Sequence, residues 1–393
     1  MNQLYQVEIT DLAFGGEGVG RIENMVCFIP FTAPGDIVQV EITQRKKKFL
    51  RGRAAALTAP SPLRVEPPCP YFGLCGGCQW QHIDYAQQLE SKRSHLQHIL
   101  RKSAGIEYPV PAPLPSPQIF EYRRSARLKV NIAGEVGFFR EQSNTVVPIE
   151  HCMVLEPVLN EEIPAIKAEI EAKLTAADAM APPILPLEVE LSSENGEAAT
   201  HDFLYQGEPS KQGFLQANRG VNRLLQSFIH QHIDALTEKD DTVLDLFCGD
   251  GNLSLPLAAS GVHVLGYDIS GPAIKKARRA AAEIYAGKNS AGSCSYRREP
   301  FQKIMNRVAE KAPEIRAAIL DPPRQGLAGK AGAIAALGFP MVLYISCIPA
   351  ILARDLLFFI KAGYEIREIQ PMDMFPHTYH LETAVALTLP LDT

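Results

Sequence analysis

The chain has 393 residues, of which 46% are hydrophobic and 21% charged, so it is long enough for two or three domains and is not a largely disordered protein. Its formal net charge of −5 argues against a protein that coats nucleic acid non-specifically, although local basic patches remain compatible with it. No apolar run approaches the roughly 20 residues that span a bilayer, and "MNQLYQVEIT" lacks the features of a signal peptide. We therefore expect a cytoplasmic protein that is not associated with a membrane.

Residues 1–60 alternate apolar and polar positions in short runs that are separated by glycine-containing turns. This pattern predicts a small OB-like antiparallel barrel of about five strands. Its last strand follows the run "QRKKKFLRGR", which carries six cations without an acidic neighbour in sequence: Arg45, Lys46, Lys47, Lys48, Arg51 and Arg53. These cations either contact the phosphates of a nucleic acid or protect a solvated sheet edge, and the run alone does not decide between the two.

The proline-rich segment "APSPLRVEPPCP" marks a boundary, and we assign residues 61–212 to a central α/β domain. Helical spacing predicts a helix over about residues 84–104, which could pack on the C-terminal domain. A second proline-dense connector, "YPVPAPLPSPQ", follows that helix.

Cysteines cluster at the start of this central domain. Cys69, Cys75 and Cys78 fall within ten residues, and Cys152 is the nearest further thiol along the chain. Four thiolates fit either a tetrahedral zinc ion or an iron–sulfur cluster, and their spacing does not separate these options. Buried cysteines without a ligand are a poorer explanation for so tight a group.

From residue 213 to residue 393 apolar strands alternate with helices, which predicts a doubly wound parallel sheet that binds ligands at the carboxyl ends of its strands. "VLDLFCGDGNLSLPLA" closes one strand with a tight turn at Gly249 and Gly251 and should then open a helix. Ser254 occupies the place of the third glycine of a dinucleotide fingerprint, while Asp268 suits the hydroxyl groups of a ribose. The pattern resembles the S-adenosylmethionine site of Rossmann-like methyltransferases. A tight turn beside a satisfied surface aspartate is the alternative.

Three reactive side chains stand at predicted strand ends, namely Asp321 in "ILDPPRQG", Cys347 in "YISCIP" and Glu382 before the last strand. Carbon C5 of a pyrimidine is a poor nucleophile until a thiolate adds to C6, and a base must later remove the C5 proton. One cysteine and one carboxylate are the minimal set for this chemistry. A lone buried cysteine more often has only a packing role. The presence of the cofactor motif and two acids in the same sheet favours a catalytic role for Cys347.

Together the barrel, "CPYFGLCGGC", "GFLQANRGVNRLL", "DLFCGDGNLSLPLA", "DPPRQGL", "SCIPAILARDL" and "FPHTYHLETAVAL" resemble the RNA uracil-5 methyltransferase family with an N-terminal TRAM domain, over nearly the whole chain. The resemblance implies that Cys347 is the nucleophile and Glu382 the base that takes the C5 proton. It implies a [4Fe–4S] cluster, rather than zinc, on Cys69, Cys75, Cys78 and Cys152. It also implies S-adenosylmethionine contacts from Gln216, Phe247, Asn252, Asp268 and Asp321.

The same resemblance favours 23S ribosomal RNA as the substrate, with transfer RNA as an alternative. We also expect a monomeric protein. The basic segment "EYRRSARLKV" then becomes a candidate RNA-facing wall, or else an ordinary charged strand face. Two positions depart from the family pattern. Ile348 stands where an asparagine usually follows the nucleophile, and Pro300 stands where a polar residue contacts the adenosine.

Three other functions compete with this one. An exocyclic-amine methyltransferase would need an aromatic residue after "DPP", where this chain has Arg324, and would not need Cys347. A non-catalytic RNA-binding or assembly protein that has kept the fold draws its support from Ile348. A cluster-based electron carrier would leave the C-terminal half of the chain without a role.

Overall fold

The computed structural model describes residues 3–176, 184–208, 210, 215–285 and 292–390. Its internal contacts divide the chain into two compact units. The first comprises Met1–His95, Ser116–Arg219 and Phe375–Tyr379, and the second comprises Leu96–Pro115, Gly220–Met374 and His380–Thr393. Residues 213 and 214 of the motif "GFLQANRGVNRLL" lie outside the described residues.

The N-terminal part of the first unit is a sheet of six strands, one more than expected. The additional strand is a pair of residues that joins the edge of the sheet. Alternate side chains of the longer strands, such as Val38 and Val40, are fully buried in one hydrophobic core. In the spatial order β1–β5–β6–β4–β3–β2, the strands are β1 (Leu4–Glu8), β2 (Asp11–Leu12), β3 (Gly18–Ile22), β4 (Met25–Ile29), β5 (Ile37–Arg45) and β6 (Leu50–Ala59).

Helix α1 (Tyr85–Ala104) corresponds to the helix expected over about residues 84–104. Asp84 caps its start, because the carboxylate accepts hydrogen bonds from the backbone N–H groups of Ala86 and Gln87, at 3.0 and 3.4 Å. Gly105 follows its end in the left-handed conformation that commonly terminates helices, with φ of +64°.

The remainder of the first unit is a five-stranded antiparallel sheet covered by one helix. Four isoleucine and leucine side chains of that helix are fully buried in the core of this part of the unit. The elements are β7 (Ser125–Val130), β8 (Val136–Phe139), β9 (Val146–Pro148), α2 (Pro157–Thr175), β10 (Glu188–Ser192) and β11 (Thr200–Leu204), with the spatial order β11–β10–β7–β8–β9.

Acidic residues of β10 neutralise part of the basic segment that was a candidate RNA-facing wall. Arg127 on β7 pairs with Glu190 at 2.6 Å and with Glu188 at 3.2 Å, and Lys129 also pairs with Glu188. The sequence could not show these partners, because they lie about 60 residues further along the chain. For Arg127 and Lys129 the structure therefore favours the ordinary charged strand face.

The second unit is built on a seven-stranded sheet, in the spatial order β14–β13–β12–β15–β16–β18–β17. Strands β12 to β16 pair in parallel, whereas β17 and β18 pair antiparallel. The elements are α3 (Arg219–Asp234), β12 (Thr242–Leu246), β13 (His263–Asp268), α4 (Gly271–Tyr285), β14 (Ser293–Arg298), α5 (Phe301–Lys311), β15 (Ile315–Leu320), α6 (Ala331–Ala335), β16 (Met341–Ser346), α7 (Pro349–Lys361), β17 (Glu365–Met372) and β18 (Glu382–Thr388).

Strand order reverses between β12 and β15, and such a switch point opens a crevice at the carboxyl ends of the strands. The helix expected after the glycine turn that follows β12 is a 3₁₀ helix, over Leu255–Ser260. Pro256, in the first turn of this segment, has no backbone N–H to donate. Among the helices that the structure describes, none combines the length and the apolar character that a membrane span requires.

Candidate active site

Four predicted site residues lie at one edge of the seven-stranded sheet. Asp268 is the last residue of β13, and Asp321 and Cys347 directly follow β15 and β16. Glu382 is the first residue of β18, and since β18 runs antiparallel to β16, its start lies beside the end of β16. The topology therefore brings three acids and one thiol from distant parts of the sequence to the edge where the crevice opens.

Strand register places Cys347 beside Glu382. Ser346 pairs with Thr383 in the β16–β18 ladder, and Cys347 and Glu382 are the next residues on the two strands. Burial raises the pKa of the Cys347 thiol to about 11; negative charge on Glu382 adds to the rise, and the Arg324 guanidinium opposes it. The thiol is half-buried, so a substrate can reach it, but it is protonated at rest and must lose its proton when it attacks.

The turn after β16 leads directly into a helix. Helix α7 begins at Pro349, which has no N–H to leave unsatisfied at a helix start, and Ile348 occupies the N-cap position without any side-chain cap. The other departure from the family pattern, Pro300, is likewise the uncapped N-cap residue of helix α5. Both departures thus remove a side chain that could cap a helix at this edge of the sheet.

Two carboxyl groups at this edge resist ionisation. Glu382 is only 5% exposed, and its pKa lies well above the ordinary value, first because of burial and then because of negative charge on Asp321. Burial also raises the pKa of Asp321, to about 7. A carboxyl group with a raised pKa can accept a proton and hold it near neutral pH, as a general base must.

Asp245, which we did not select as a site residue, is a third acid near this edge of the sheet whose pKa is raised. It lies within β12 and is almost completely buried, and burial raises its pKa to about 8, with the Ser254 hydroxyl opposing the rise and the charges of Asp321 and Asp268 adding to it. An acid in the middle of the apolar run "TVLDLF" was the available signal.

Two expected cofactor residues have side chains engaged by their neighbours. The Asp268 carboxylate accepts hydrogen bonds from the backbone N–H groups of Gly249, at 3.0 Å, and of Ser270, at 2.7 Å. The amides of Asn252 and Asn222 exchange hydrogen bonds of 2.8 and 2.9 Å, a partnership that links α3 to the turn after β12. These contacts hold both side chains in fixed orientations at the turn.

Phe247 and Gln216 occupy different surroundings. Phe247 has a left-handed backbone with φ of +66°, directly after β12, and its N–H donates to the Tyr267 carbonyl at 2.9 Å. Gln216 belongs to the first unit, where it is buried and its carbonyl accepts a hydrogen bond from Arg124.

Sequence reasoning missed two further residues of the second unit. Ile269, directly after Asp268, is 73% exposed although it is apolar. Asp355 on α7 is buried and accepts hydrogen bonds from the Tyr344 hydroxyl at 2.7 Å and from the Leu327 N–H at 2.8 Å. Asp355 thereby ties the helix that follows Cys347 to the loop that follows Asp321. The acid in "ARDLL" was the signal for this role.

The four clustered cysteines line one cavity of about 180 Å³ in the first unit. Burial raises the pKa of Cys75 to about 11 and of Cys78 to about 12, and the neighbouring thiols add to both shifts. Gly76 is required here, because a Cβ atom on it would lie 2.9 Å from the Glu141 backbone nitrogen. Within the described part of the chain, no three His, Cys, Asp or Glu side chains gather closely enough to hold a single metal ion.

Two family models match the chain. The model described as tRNA (Uracil-5-)-methyltransferase matches residues 185–389, which is more than half of the chain, and the TRAM domain model matches residues 2–55. A protein described as 23S rRNA (uracil(1939)-C(5))-methyltransferase RlmD from Salmonella typhimurium is 32% identical, over 98% of this chain and 96% of its own length. A protein of the same description from Vibrio parahaemolyticus is 30% identical, over 96% of this chain and 94% of its own length.

A solved structure is also similar over nearly its full length. The crystal structure of the Pyrococcus abyssi tRNA (uracil-54, C5)-methyltransferase in complex with S-adenosyl-L-homocysteine superposes with a TM-score of 0.72 at 26% identity, and the alignment covers 98% of this chain and 100% of that one. With the TRAM match, this superposition confirms the predicted fold class, a Rossmann-like methyltransferase domain with an N-terminal TRAM domain.

Proposed function

The chain belongs to the tRNA (uracil-5-)-methyltransferase family, and we propose that it methylates carbon C5 of a uridine in RNA, with S-adenosylmethionine as the methyl donor. The family that the sequence motifs predicted is thus confirmed. The observation that carries the proposed chemistry is the register that sets Cys347 beside Glu382 at the cofactor edge of the sheet.

Cys347 acts first, since its sulfur adds to uracil C6 and the electron pair of the C5–C6 double bond moves toward the O4 carbonyl. S-adenosylmethionine would supply an electrophilic methyl group: C5 forms its new bond to that carbon as the methyl–sulfur bond breaks, and S-adenosylhomocysteine is the leaving group. Glu382 then takes the C5 proton, the C5–C6 double bond reforms, and the C6–S bond breaks to return the thiolate. The Arg324 cation near both groups favours their charged forms and so assists attack and proton removal.

For the methyl donor we propose contacts from Gln216, Phe247, Asn252, Asp268 and Asp321. Asp268 ends β13, and the glycine turn follows the neighbouring strand β12. A carboxylate at this position suits the hydroxyl groups of a ribose. Ile269 adds an exposed apolar side chain next to that acid, which suits the face of an adenine ring.

We propose that Cys69, Cys75, Cys78 and Cys152 hold a [4Fe–4S] cluster, with zinc as the less favoured alternative. Four thiols that line one cavity of about 180 Å³ suit a multinuclear cluster better than one small ion. The cluster would stabilise the first unit by linking its cysteines. The proposed reaction requires no electron transfer, so a redox role is not needed. Anaerobically purified protein should be brown, with bound iron and sulfide; colourless protein with stoichiometric zinc would support the alternative.

The favoured substrate is 23S ribosomal RNA, because the relatives at 30 and 32% identity carry that description over nearly full length. Transfer RNA is the second candidate, since the structural neighbour is described as a tRNA enzyme. We propose that the protein acts on this RNA in the cytoplasm. Comparing methylation of ribosomal and transfer RNA isolated from a deletion strain decides between the two.

Incubation with S-adenosylmethionine and RNA that contains 5-fluorouridine tests the chemistry. Fluorine replaces the C5 hydrogen in this RNA, so the base has no C5 proton to remove and the C6–S bond cannot break. The protein should therefore remain attached to the RNA through Cys347 under denaturing conditions. Cys347→Ala should form no adduct and should methylate no uridine. Methyl transfer by Cys347→Ala to an adenine or cytosine amine would select the amine chemistry, and RNA binding without adduct or methylation would select the non-catalytic alternative.

A further inference from the structure

The loop between β17 and β18 leads directly into Glu382, and its middle part, Phe375–Tyr379, belongs to the first unit. Only His380 and Leu381 separate this part of the loop from Glu382. His377, at its centre, is 4% exposed and has a left-handed backbone with φ of +65°. A non-glycine residue in this conformation persists only where its surroundings hold it there.

Hydrogen bonds hold the backbone of His377 on both sides. Its N–H donates to Oε1 of Gln88 at 2.9 Å, and its carbonyl accepts from the N–H groups of Gln79 and Trp80, both at 2.9 Å. Gln88 is fully buried on α1, and its Nε2 donates to the carbonyls of Trp80 at 3.0 Å and Ile83 at 2.9 Å. The Gln88 side chain therefore binds both the N–H of His377 and the segment whose N–H groups donate to the His377 carbonyl.

The neighbours of His377 in the loop are held by other parts of the first unit. The Lys92 ammonium donates to the Phe375 carbonyl at 3.1 Å, and the Tyr122 hydroxyl donates to the Pro376 carbonyl at 3.2 Å. The Phe120 ring stacks on the imidazole of His377, with centroids 4.3 Å apart. Three consecutive residues of the loop therefore each have a buried or stacked partner.

We propose that Gln88 is a positioning residue that, through His377, sets the place of the Glu382 carboxylate for removal of the C5 proton. This inference rests on the proposed function. The chain from His377 to Glu382 is short, and a displacement of about 1 Å at a reacting group can cost 10²-fold in rate. A base must lie within hydrogen-bonding reach of the proton that it removes.

The proposal makes a prediction that a general loss of stability does not. Thiol addition and methyl transfer precede the step that needs Glu382, so a displaced base should stall the reaction after the methyl group has moved. The stalled species is protein joined by a C6–S bond to 5-methylated uridine that still carries its C5 proton. It should accumulate on ordinary uridine RNA, without fluorine.

The test compares Gln88→Met, of similar size, with the matched control Gln87→Met one position earlier on α1, where the Gln87 amide donates to the Ser91 hydroxyl instead. With uridine RNA and radiolabelled S-adenosylmethionine, Gln88→Met should show a protein–RNA band on a denaturing gel. This band should contain the transferred methyl group. Its kcat should fall about 10- to 100-fold, and KM for RNA should not rise, because the slowed step follows RNA binding and methyl transfer. Gln87→Met and the wild type should show no band.

Tyr122→Phe provides a milder second variant, since it removes one hydroxyl and keeps the ring, and it decides the matter if Gln88→Met does not fold. It should show the same band at a lower level. Folded variants that lose activity without a band, or that keep wild-type kcat, would overturn the positioning role. A wild-type protein that neither methylates uridine nor forms the 5-fluorouridine adduct would instead refute the proposed function itself.

Discussion

Glu382 is buried beside Asp321, and its pKa is raised first by burial and then by the negative charge of that aspartate. Each negative charge in this group therefore makes the next one harder to form, and the same holds for Cys347, whose pKa of about 11 is raised by burial and by Glu382. The Arg324 guanidinium opposes the shift at both Cys347 and Glu382. This balance makes the protonation of the site sensitive to one cation.

We expect the methyl-transfer rate of the wild type to rise with pH between about 6 and 9, because the Cys347 thiol must lose its proton before C5 can attack the methyl group. Arg324→Gln removes the cation, so the pKa values of Cys347 and Glu382 should rise and the profile should move to higher pH. A rise of one pKa unit lowers the reactive fraction about tenfold on the rising limb. Single-turnover rates across this range measure the shift. Arg279→Gln, at an exposed i,i+4 ion pair with Glu283, is the control that should leave the profile in place.

The edge of the sheet could be predicted from sequence because it follows from a general rule. Apolar runs ending in Asp268, Asp321 and Cys347 were recognisable as buried strands, and the carboxyl ends of parallel strands share one edge. The proximity of Glu382 could not be predicted in this way. It depends on β18 running antiparallel to β16 in a register that pairs Ser346 with Thr383, and such a register is set by packing along whole strands.

Several contacts that the sequence did not reveal join residues that are remote from each other in the chain. The acids that pair with Arg127 lie on β10, and the amide partner of Asn252 lies on α3. The N–H of His377 donates a hydrogen bond to Gln88, which lies nearly 290 residues earlier in the chain. Local spacing carries information about strands, caps and turns, but it does not carry the contacts that a folded chain makes between such segments.

Asp245→Asn should change how stability depends on pH. The pKa of Asp245 in the folded protein, about 8, exceeds the ordinary value of 3.8, so its contribution is fully present below about pH 4 and is lost as pH rises toward 8. One such group changes the free energy of unfolding by about 1.4 kcal/mol per pH unit in that interval. Asparagine does not ionise, so the variant should gain stability relative to the wild type between pH 5 and pH 8.

Urea unfolding at pH 5, 6.5 and 8 measures this difference for Asp245→Asn. Asp240→Asn, at a side chain that is 67% exposed, should follow the wild-type curve at each pH. A constant offset between Asp245→Asn and the wild type at all three pH values would show that the buried carboxyl is not protonated preferentially in the folded state.

Ile348→Asn should cap helix α7. Ile348 has an extended backbone at the N-cap position, with φ of −129°, and its side chain has no oxygen to accept the free N–H groups of the first turn. Asparagine is among the best N-cap residues and is worth about 1 kcal/mol relative to alanine. Ile348→Asn should therefore exceed Ile348→Ala by about that amount in free energy of unfolding, as measured by urea denaturation. Equal stability of the two variants would mean that no cap forms beside Cys347.

The lysine turn between β5 and β6 should contribute more to RNA binding than the basic strand β7. Lys46, Lys47 and Lys48 are exposed in that turn, whereas Arg127 is held between Glu188 and Glu190. Replacing the three lysines together with glutamine should weaken RNA binding and reduce the slope of log Kd against log salt by about 2, because about three phosphate contacts are lost. Arg127→Gln should change that slope by less than one contact's share, since its charge is already paired. Filter-binding titrations from 50 to 300 mM salt measure both slopes. A larger effect of Arg127→Gln would show that the RNA binds the five-stranded sheet that contains β7 and not the lysine turn.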